Sequence, residues 1–108
     1  MREICDRAFM CCEALQSVVI PEGVTRIGNE AFCSCPEIAS LTIAESVRTI
    51  GCNAFDGCLA LSSVTIPEGV EEIGDGAFAG CESLKSVSLL GNPKMGADVF
   101  KDCGSLKR

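Results

Sequence analysis

The chain has 108 residues, of which 47% are hydrophobic, and carries a net charge of −6 with no His, Trp or Tyr. This size and composition allow one domain with a mainly aliphatic core. The negative charge argues against nucleic acid or an anionic membrane surface as a partner, because phosphates bind clustered Lys and Arg. The apolar runs are shorter than the ~18 residues of a spanning helix, so no membrane insertion is expected. The chain starts in repeat material, with no signal peptide pattern.

One unit recurs along the chain with a period of 23 residues, and its last interval is 22. A fixed period of this length is typical of a solenoid. Phenylalanine and cysteine recur at fixed places in the unit, and we expect both series to line the core: Phe9, Phe32, Phe55, Phe78, Phe100, Cys12, Cys35, Cys58, Cys81 and Cys103. We therefore expect one solenoid over residues 1–108, with repeats at about 4–26, 27–49, 50–72 and 73–94 and a partial repeat at 95–108. We interpret the chain as a fragment of a longer array.

Each position of the unit is called a slot, counted from Ile4, Ile27, Ile50, Ile73 and Met95. Slots 5 to 9 read Ala-Phe-x-x-Cys, a spacing that predicts one turn of α- or 3₁₀-helix with Phe and Cys on the same side. Slots 14 to 17, such as Ser-Val-Thr-Ile, alternate and predict a short strand with slots 14 and 16 facing outward. Proline at slot 18 ends that strand, because it cannot donate to a ladder. Val24 and Ile27 alternate again and indicate a second short extended segment.

The pattern I-G-x-x-A-F-x-x-C-x-x-L-x-S-V-x-I-P-x-x-V resembles the BspA-type leucine-rich repeat of bacterial and protist surface proteins. Phe32-x-x-Cys35, Phe55-x-x-Cys58 with Leu61, and Ile66-Pro67 with Val70 carry the resemblance. It implies a right-handed coil with a concave parallel β-sheet and short helical turns, 3₁₀ turns or short strands on the convex side. It also implies adhesion or binding at a cell surface or in a secreted protein. Cys5 departs from the pattern, because it replaces the glycine of slot 2.

The cysteines are the most reactive groups in the sequence. Equivalent residues of stacked coils lie ~4.8 Å apart with parallel Cα–Cβ bonds, whereas disulfides need side chains directed at each other. The ladder cysteines are therefore predicted to be small buried hydrophobes. A Cys11–Cys33 disulfide and a structural zinc site remain less favoured alternatives, and a Cys–His nucleophile is excluded because the chain has no His. The redox state of the thiols outside the ladder stays open: Cys5, Cys11, Cys33 and Cys52.

Two groups of side chains are candidates for binding. Glu22, Glu45 and Glu68 share slot 19, where they predict either a calcium-binding stripe or, as we favour, a solvated rim. The outward strand positions form a nearly uncharged face that we expect on the concave side: Ser17, Val19, Ser40, Thr42, Ser63, Thr65, Ser86 and Ser88. Its serines have no general base beside them, so we predict no catalytic residue, no cofactor and no enzyme activity.

Two functional hypotheses follow from these patterns. The first is an interaction or adhesion module that binds a protein or a glycan through the outward strand face. The alternative is a structural scaffold that stacks end to end as a homo-oligomer through its terminal repeats, whose apolar cross-sections and strand edges would be open.

Overall fold

The structure is a computed structural model that describes residues 2–106, and these residues form a β-solenoid of stacked coils. The coils are numbered 1 to 5 as the repeats above. Each complete coil contributes two short parallel strands, as the alternating slots predict. The nine strands within the described range are β1 (Arg2–Ile4), β2 (Ser17–Ile20), β3 (Val24–Ile27), β4 (Ser40–Ile43), β5 (Thr49–Ile50), β6 (Ser63–Ile66), β7 (Glu72–Ile73), β8 (Ser86–Leu89) and β9 (Lys94–Met95).

The strands that end at slot 1 build one continuous sheet of five parallel strands in the order β1-β3-β5-β7-β9. Its register follows the repeat, since Ile27 pairs with Ile50 and Ile50 with Ile73. The second extended segment expected from Val24 and Ile27 is therefore present. The inward residues of this sheet are aliphatic because the side chains of slots 21 and 1 point into the solenoid.

The strands of slots 14 to 17 form two separate pairs, β2 with β4 and β6 with β8. At the end of each pair the slot-18 amide extends the ladder: Ala44 N donates to Ile20 O at 3.2 Å and Leu90 N to Ile66 O at 3.1 Å. Coil 3 has Pro67 at this slot, which has no N–H to give to Ile43. The pairing of the described strands stops there, between β4 and β6.

The Ala-Phe-x-x-Cys segments are turns, and no helix forms within residues 2–106. The N–H groups alternate: Cys33 N donates to Glu30 O within its coil, whereas Phe32 N donates to Ala54 O of the next coil at 2.8 Å. A helix would direct every N–H along its own segment, so the predicted helical turn is wrong. Of the alternatives expected opposite the strands of slots 14 to 17, short strands are the one observed, in the five-stranded sheet. Slots 4 and 8 have positive φ in every coil, as at Glu30 (57°) and Gly57 (78°).

The core between the five-stranded sheet and the two strand pairs is built from the same slots in coils 2 and 3, and the same slots are partly exposed toward both ends. Neighbouring phenylalanine rings stack with centroids 5.2 Å apart from Phe9 through Phe78, and 5.8 Å apart in the last pair. Phe55 and Phe78 are fully buried, whereas Phe9 in coil 1 is 44% exposed. The core is thus one continuous cluster that runs through all coils.

Each ladder cysteine after Cys12 fills the space beside a phenylalanine of the preceding coil. The thiol of Cys81 donates to Phe55 O at 3.2 Å, and the thiol of Cys58 donates to Phe32 O at 3.5 Å. Cys35 makes the same contact to coil 1 and Cys103 to coil 4, each at 3.1 Å. A buried thiol here serves as a small apolar group with one weak donor.

Candidate functional site

The outward positions of β2, β4, β6 and β8 form an exposed, uncharged surface, called here the hydroxyl face. It consists of seven hydroxyl side chains and one valine, all exposed: Ser17, Val19, Ser40, Thr42, Ser63, Thr65, Ser86 and Ser88. Pairing brings Ser17 beside Ser40 and Ser63 beside Ser86 in exact register. The break between β4 and β6 divides the face into two halves.

The hydroxyl face is small and has no charged side chain of its own. Four strands about 4.8 Å apart, each about 13 Å long, present roughly 250 Å². A partner in a standard protein interface buries about 800 Å², so one face alone supplies a fraction of such a contact. Val19, which is 70% exposed, is its only large apolar group.

The acidic column of slot 19 borders the strand ends and contributes to the backbone structure. The Glu22 carboxylate accepts the N–H of Glu45 at 3.2 Å. Arg48 reaches the same rim, where its guanidinium donates to the carbonyls of Glu45 and Gly69. Within residues 2–106 no group of three or more Cys, Asp or Glu side chains has the arrangement of a metal site.

A second set of polar contacts joins the coils at slot 3 and was not predicted from the sequence. The side-chain oxygen of one coil accepts the slot-3 N–H of the next: Asp6 Oδ1 from Asn29 N at 2.8 Å, Asn29 Oδ1 from Cys52 N at 2.9 Å, and Asp75 Oδ1 from Ala97 N at 2.8 Å. Cys52 interrupts the series, because its thiol offers no oxygen to Asp75 N. The recurrence of Asp or Asn at one slot was the signal in the sequence.

Asp6 also forms the main ion-pair cluster of the first coils. Arg26 donates to Asp6 Oδ1 at 3.1 Å and to Glu3 Oε1 at 2.8 Å. The N–H of Asn29 and the Arg26 guanidinium lower the pKa of Asp6, and the hydrogen bonds to Asp6 and Glu3 raise the pKa of Arg26. All three side chains are substantially exposed, so this cluster adds little to stability.

Three of the thiols have a raised pKa: those of Cys33, Cys35 and Cys58. Burial raises the pKa of Cys33 and Cys35, and the neighbouring Cys81 thiol together with burial raises the pKa of Cys58. A raised pKa means less thiolate and a weaker nucleophile. The three most exposed cysteines, by contrast, lie outside the ladder: Cys5, Cys11 and Cys52.

The backbones of Cys11 and Cys33 are neighbours, since Cys11 N donates to Cys33 O at 2.9 Å. Both side chains are free thiols rather than a disulfide in this structure. Cys11 occupies slot 8. A Cβ built on Gly80, at the same slot of coil 4, lies 3.4 Å from Asp56 of the preceding coil. Slot-8 side chains therefore point toward the preceding coil, which directs Cys11 away from Cys33 and disfavours a disulfide.

The five-stranded sheet carries a shallow groove of about 440 Å³ on its outer side. Its glycine floor is bordered by side chains of mixed charge, including Arg26, Glu72, Asp75 and Lys94. Acidic and basic side chains both line it, and Cys52 is the thiol among its lining residues.

The comparisons with known proteins agree with this architecture. A family model described as "BspA type Leucine rich repeat region (6 copies)" matches residues 2–108. Among solved structures, a leucine-rich repeat protein from Bacteroides ovatus ATCC 8483 is 24% identical with a TM-score of 0.66, and a leucine rich cell surface protein from Faecalibacterium prausnitzii A2-165 is 29% identical with a TM-score of 0.59. A leucine-rich repeat protein of T. pallidum is 23% identical with a TM-score of 0.51.

Each of these structures matches 99% of this chain, which in turn spans 39%, 42% and 72% of their respective lengths. The chain thus corresponds to about two fifths of the first two proteins. No curated protein matches it significantly.

Proposed function

Because the chain belongs to the BspA-type leucine-rich repeat family, we propose that it is a non-enzymatic interaction module of a cell-surface or secreted protein. The hydroxyl face is the observation that carries this proposal: exposed side chains of one chemical kind, held in register by parallel strands. Hydroxyls donate and accept hydrogen bonds, so the face suits a polar partner, either a protein or a glycan.

The family and one relative support the location and the class of partner. Leucine-rich repeat proteins bind protein partners in general, and the Faecalibacterium relative is described as a cell surface protein. Within the described residues, no helix has the length and apolarity to cross a bilayer.

The size of the face predicts weak binding by a single copy. It lacks the Trp, Tyr and Arg side chains that dominate strong interfaces. Repeated display compensates, because linked copies raise the apparent affinity by about 10²–10⁴-fold without new contacts. We therefore propose that the face acts multivalently.

The test compares biotinylated monomer with streptavidin tetramer on printed arrays of glycans and of extracellular proteins. We expect the tetramer to bind a defined subset of spots that the monomer binds weakly. Thr65→Arg places a long charged side chain on the hydroxyl face and should abolish this binding.

Thr49→Arg is the matched control on the opposite sheet, where Arg26 occupies the equivalent register position in the neighbouring strand. It should leave binding unchanged. If neither array is bound by the tetramer, or if both Arg variants lose binding equally, the proposed role of the hydroxyl face is wrong.

A further inference from the structure

Coil 1 differs from the other coils at slot 2, where the later coils all have glycine: Gly28, Gly51, Gly74 and Gly96. A Cβ built on Gly28 would lie 2.5 Å from Asp6 N, and one built on Gly51 would lie 2.6 Å from Asn29 N. The atoms met are backbone atoms of the preceding coil, which cannot swing aside. Glycine at slot 2 is therefore what permits one coil to stack on the coil before it.

Cys5 occupies this slot in coil 1. Its Cβ lies on the face directed away from coil 2, as the equivalent positions of the later coils require. Suppose that another coil stacked on that face in the regular register. The distance from its backbone to the Cys5 Cβ would then equal the 2.5 Å between Asp6 N and a Cβ built on Gly28, which is too short for a side chain.

Apart from this side chain and the strand of slots 14–17, which coil 5 lacks within the described residues, the two ends of the described solenoid complement each other. Interior coils are joined by alternate amides, such as Asn53 N to Asp75 O at 2.9 Å and Phe55 N to Ala77 O at 2.7 Å. At the coil-5 end the corresponding N–H groups make no hydrogen bond to described residues: those of Asp98, Phe100 and Asp102. At the coil-1 end the matching carbonyls accept no hydrogen bond from described residues: those of Asp6, Ala8 and Met10.

The side chains of the two ends also match. Phe9 is 44% exposed at one end of the phenylalanine stack, and Phe100 ends the other. A second copy whose coil 1 followed coil 5 of the first would continue both the stack and the amide pattern. This is the head-to-tail arrangement that generates open filaments.

We infer that Cys5 blocks this arrangement, so that its side chain prevents a second copy from stacking in register on coil 1. The block is steric and resides in the Cβ rather than in the thiol. Ala97 contributes on the other face. The side-chain oxygens of Asn29 and Asp75, at the same slot 3, each accept an N–H of the next coil, and Ala97 has no such oxygen. The inference concerns the ends of the solenoid and does not rest on the proposed ligand binding.

The test is sedimentation velocity over a concentration series, with excess reductant present to exclude intermolecular disulfides. Cys5→Gly should form head-to-tail oligomers at concentrations about tenfold or more below those of the wild type, as expected for relief of an overpacked contact. Cys5→Ala keeps the Cβ and should behave as the wild type. Circular dichroism of each variant verifies that it is folded.

Cys5→Gly combined with Ala97→Asn should associate more tightly than Cys5→Gly alone, because it restores the slot-3 acceptor for Asp6 N. Nonspecific contact through exposed Phe9 would not respond to this change. The inference is overturned if Cys5→Gly stays monomeric, if Cys5→Ala associates equally, or if the wild type forms the same oligomers at the same concentrations.

Discussion

Replacing Cys52 by asparagine should complete the hydrogen-bond series of slot 3. Asn29 Oδ1 accepts Cys52 N at 2.9 Å, and Asp75 Oδ1 accepts Ala97 N at 2.8 Å. An amide at position 52 would accept Asp75 N in the same way. Gly74, in coil 4, has no side chain that would obstruct the new amide. The equivalent glycine of coil 3 shows why this matters, because a Cβ built on Gly51 would lie 2.6 Å from Asn29 Oδ1.

The expected gain is that of one exposed side chain–backbone hydrogen bond, about 1 kcal/mol in the free energy of unfolding. For a domain of this size it corresponds to a rise of roughly 4–8 °C in Tm. In urea, with a slope of about 2 kcal/mol/M, the midpoint should rise by roughly 0.5 M. The amide of Asp75 should also exchange with solvent more slowly, which locates the effect.

Two variants control this experiment. Cys52→Ala removes the exposed thiol without adding an acceptor and should change stability by less than about 0.5 kcal/mol. Asn29→Ala removes an existing acceptor and should cost about 1 kcal/mol. If Cys52→Asn is no more stable than Cys52→Ala, the slot-3 contacts do not stabilise the stacking of the coils.

Three further predictions concern the core and the approach of the coils. Gly51→Ala should cost about 1–3 kcal/mol or more in urea unfolding, because its Cβ meets backbone, whereas Gly104→Ala, with nothing within 4 Å, should be nearly neutral. Phe55→Ala removes a fully buried ring and should cost about 3–5 kcal/mol in the same assay; a loss below about 1 kcal/mol would contradict the stacked core. The raised pKa values of Cys35 and Cys58 predict alkaline destabilisation. The folded state keeps protons that the unfolded chain releases near its ordinary pKa of 9.0, so stability is full below that pH and falls above it. The slope is up to about 1.4 kcal/mol per pH unit for each thiol, and the Cys35→Ala/Cys58→Ala variant should unfold with a flatter profile between pH 8 and 10.5.

The period of the sequence was sufficient to predict the coil and its strands. Apolar residues recur at the slots of Phe55 and Val64 in successive coils. Because stacked coils bury equivalent side chains together, only one set of slots can point into the solenoid. The resemblance to BspA-type repeats, drawn from the same residues, is confirmed by the family match.

The turns could not be predicted in the same way. A spacing of three residues between Phe32 and Cys35 fits a helical turn and a pair of β-turns equally well. The choice depends on whether the Phe32 N–H bonds along its own segment or to Ala54 of the next coil, and this is a tertiary contact. Glycine at Gly57 and Gly80, both with positive φ, was the local sign of a left-handed position.

The interruption at Pro67 makes the junction between coils 2 and 3 asymmetric. On one side, β3, β5 and β7 hold the coils together through continuous pairing. On the other, β4 and β6 lie side by side without a ladder, so the two halves of the hydroxyl face can tilt without breaking strand hydrogen bonds. We expect this junction to be the least restrained of those between complete coils, because no strand ladder joins the coils on that side.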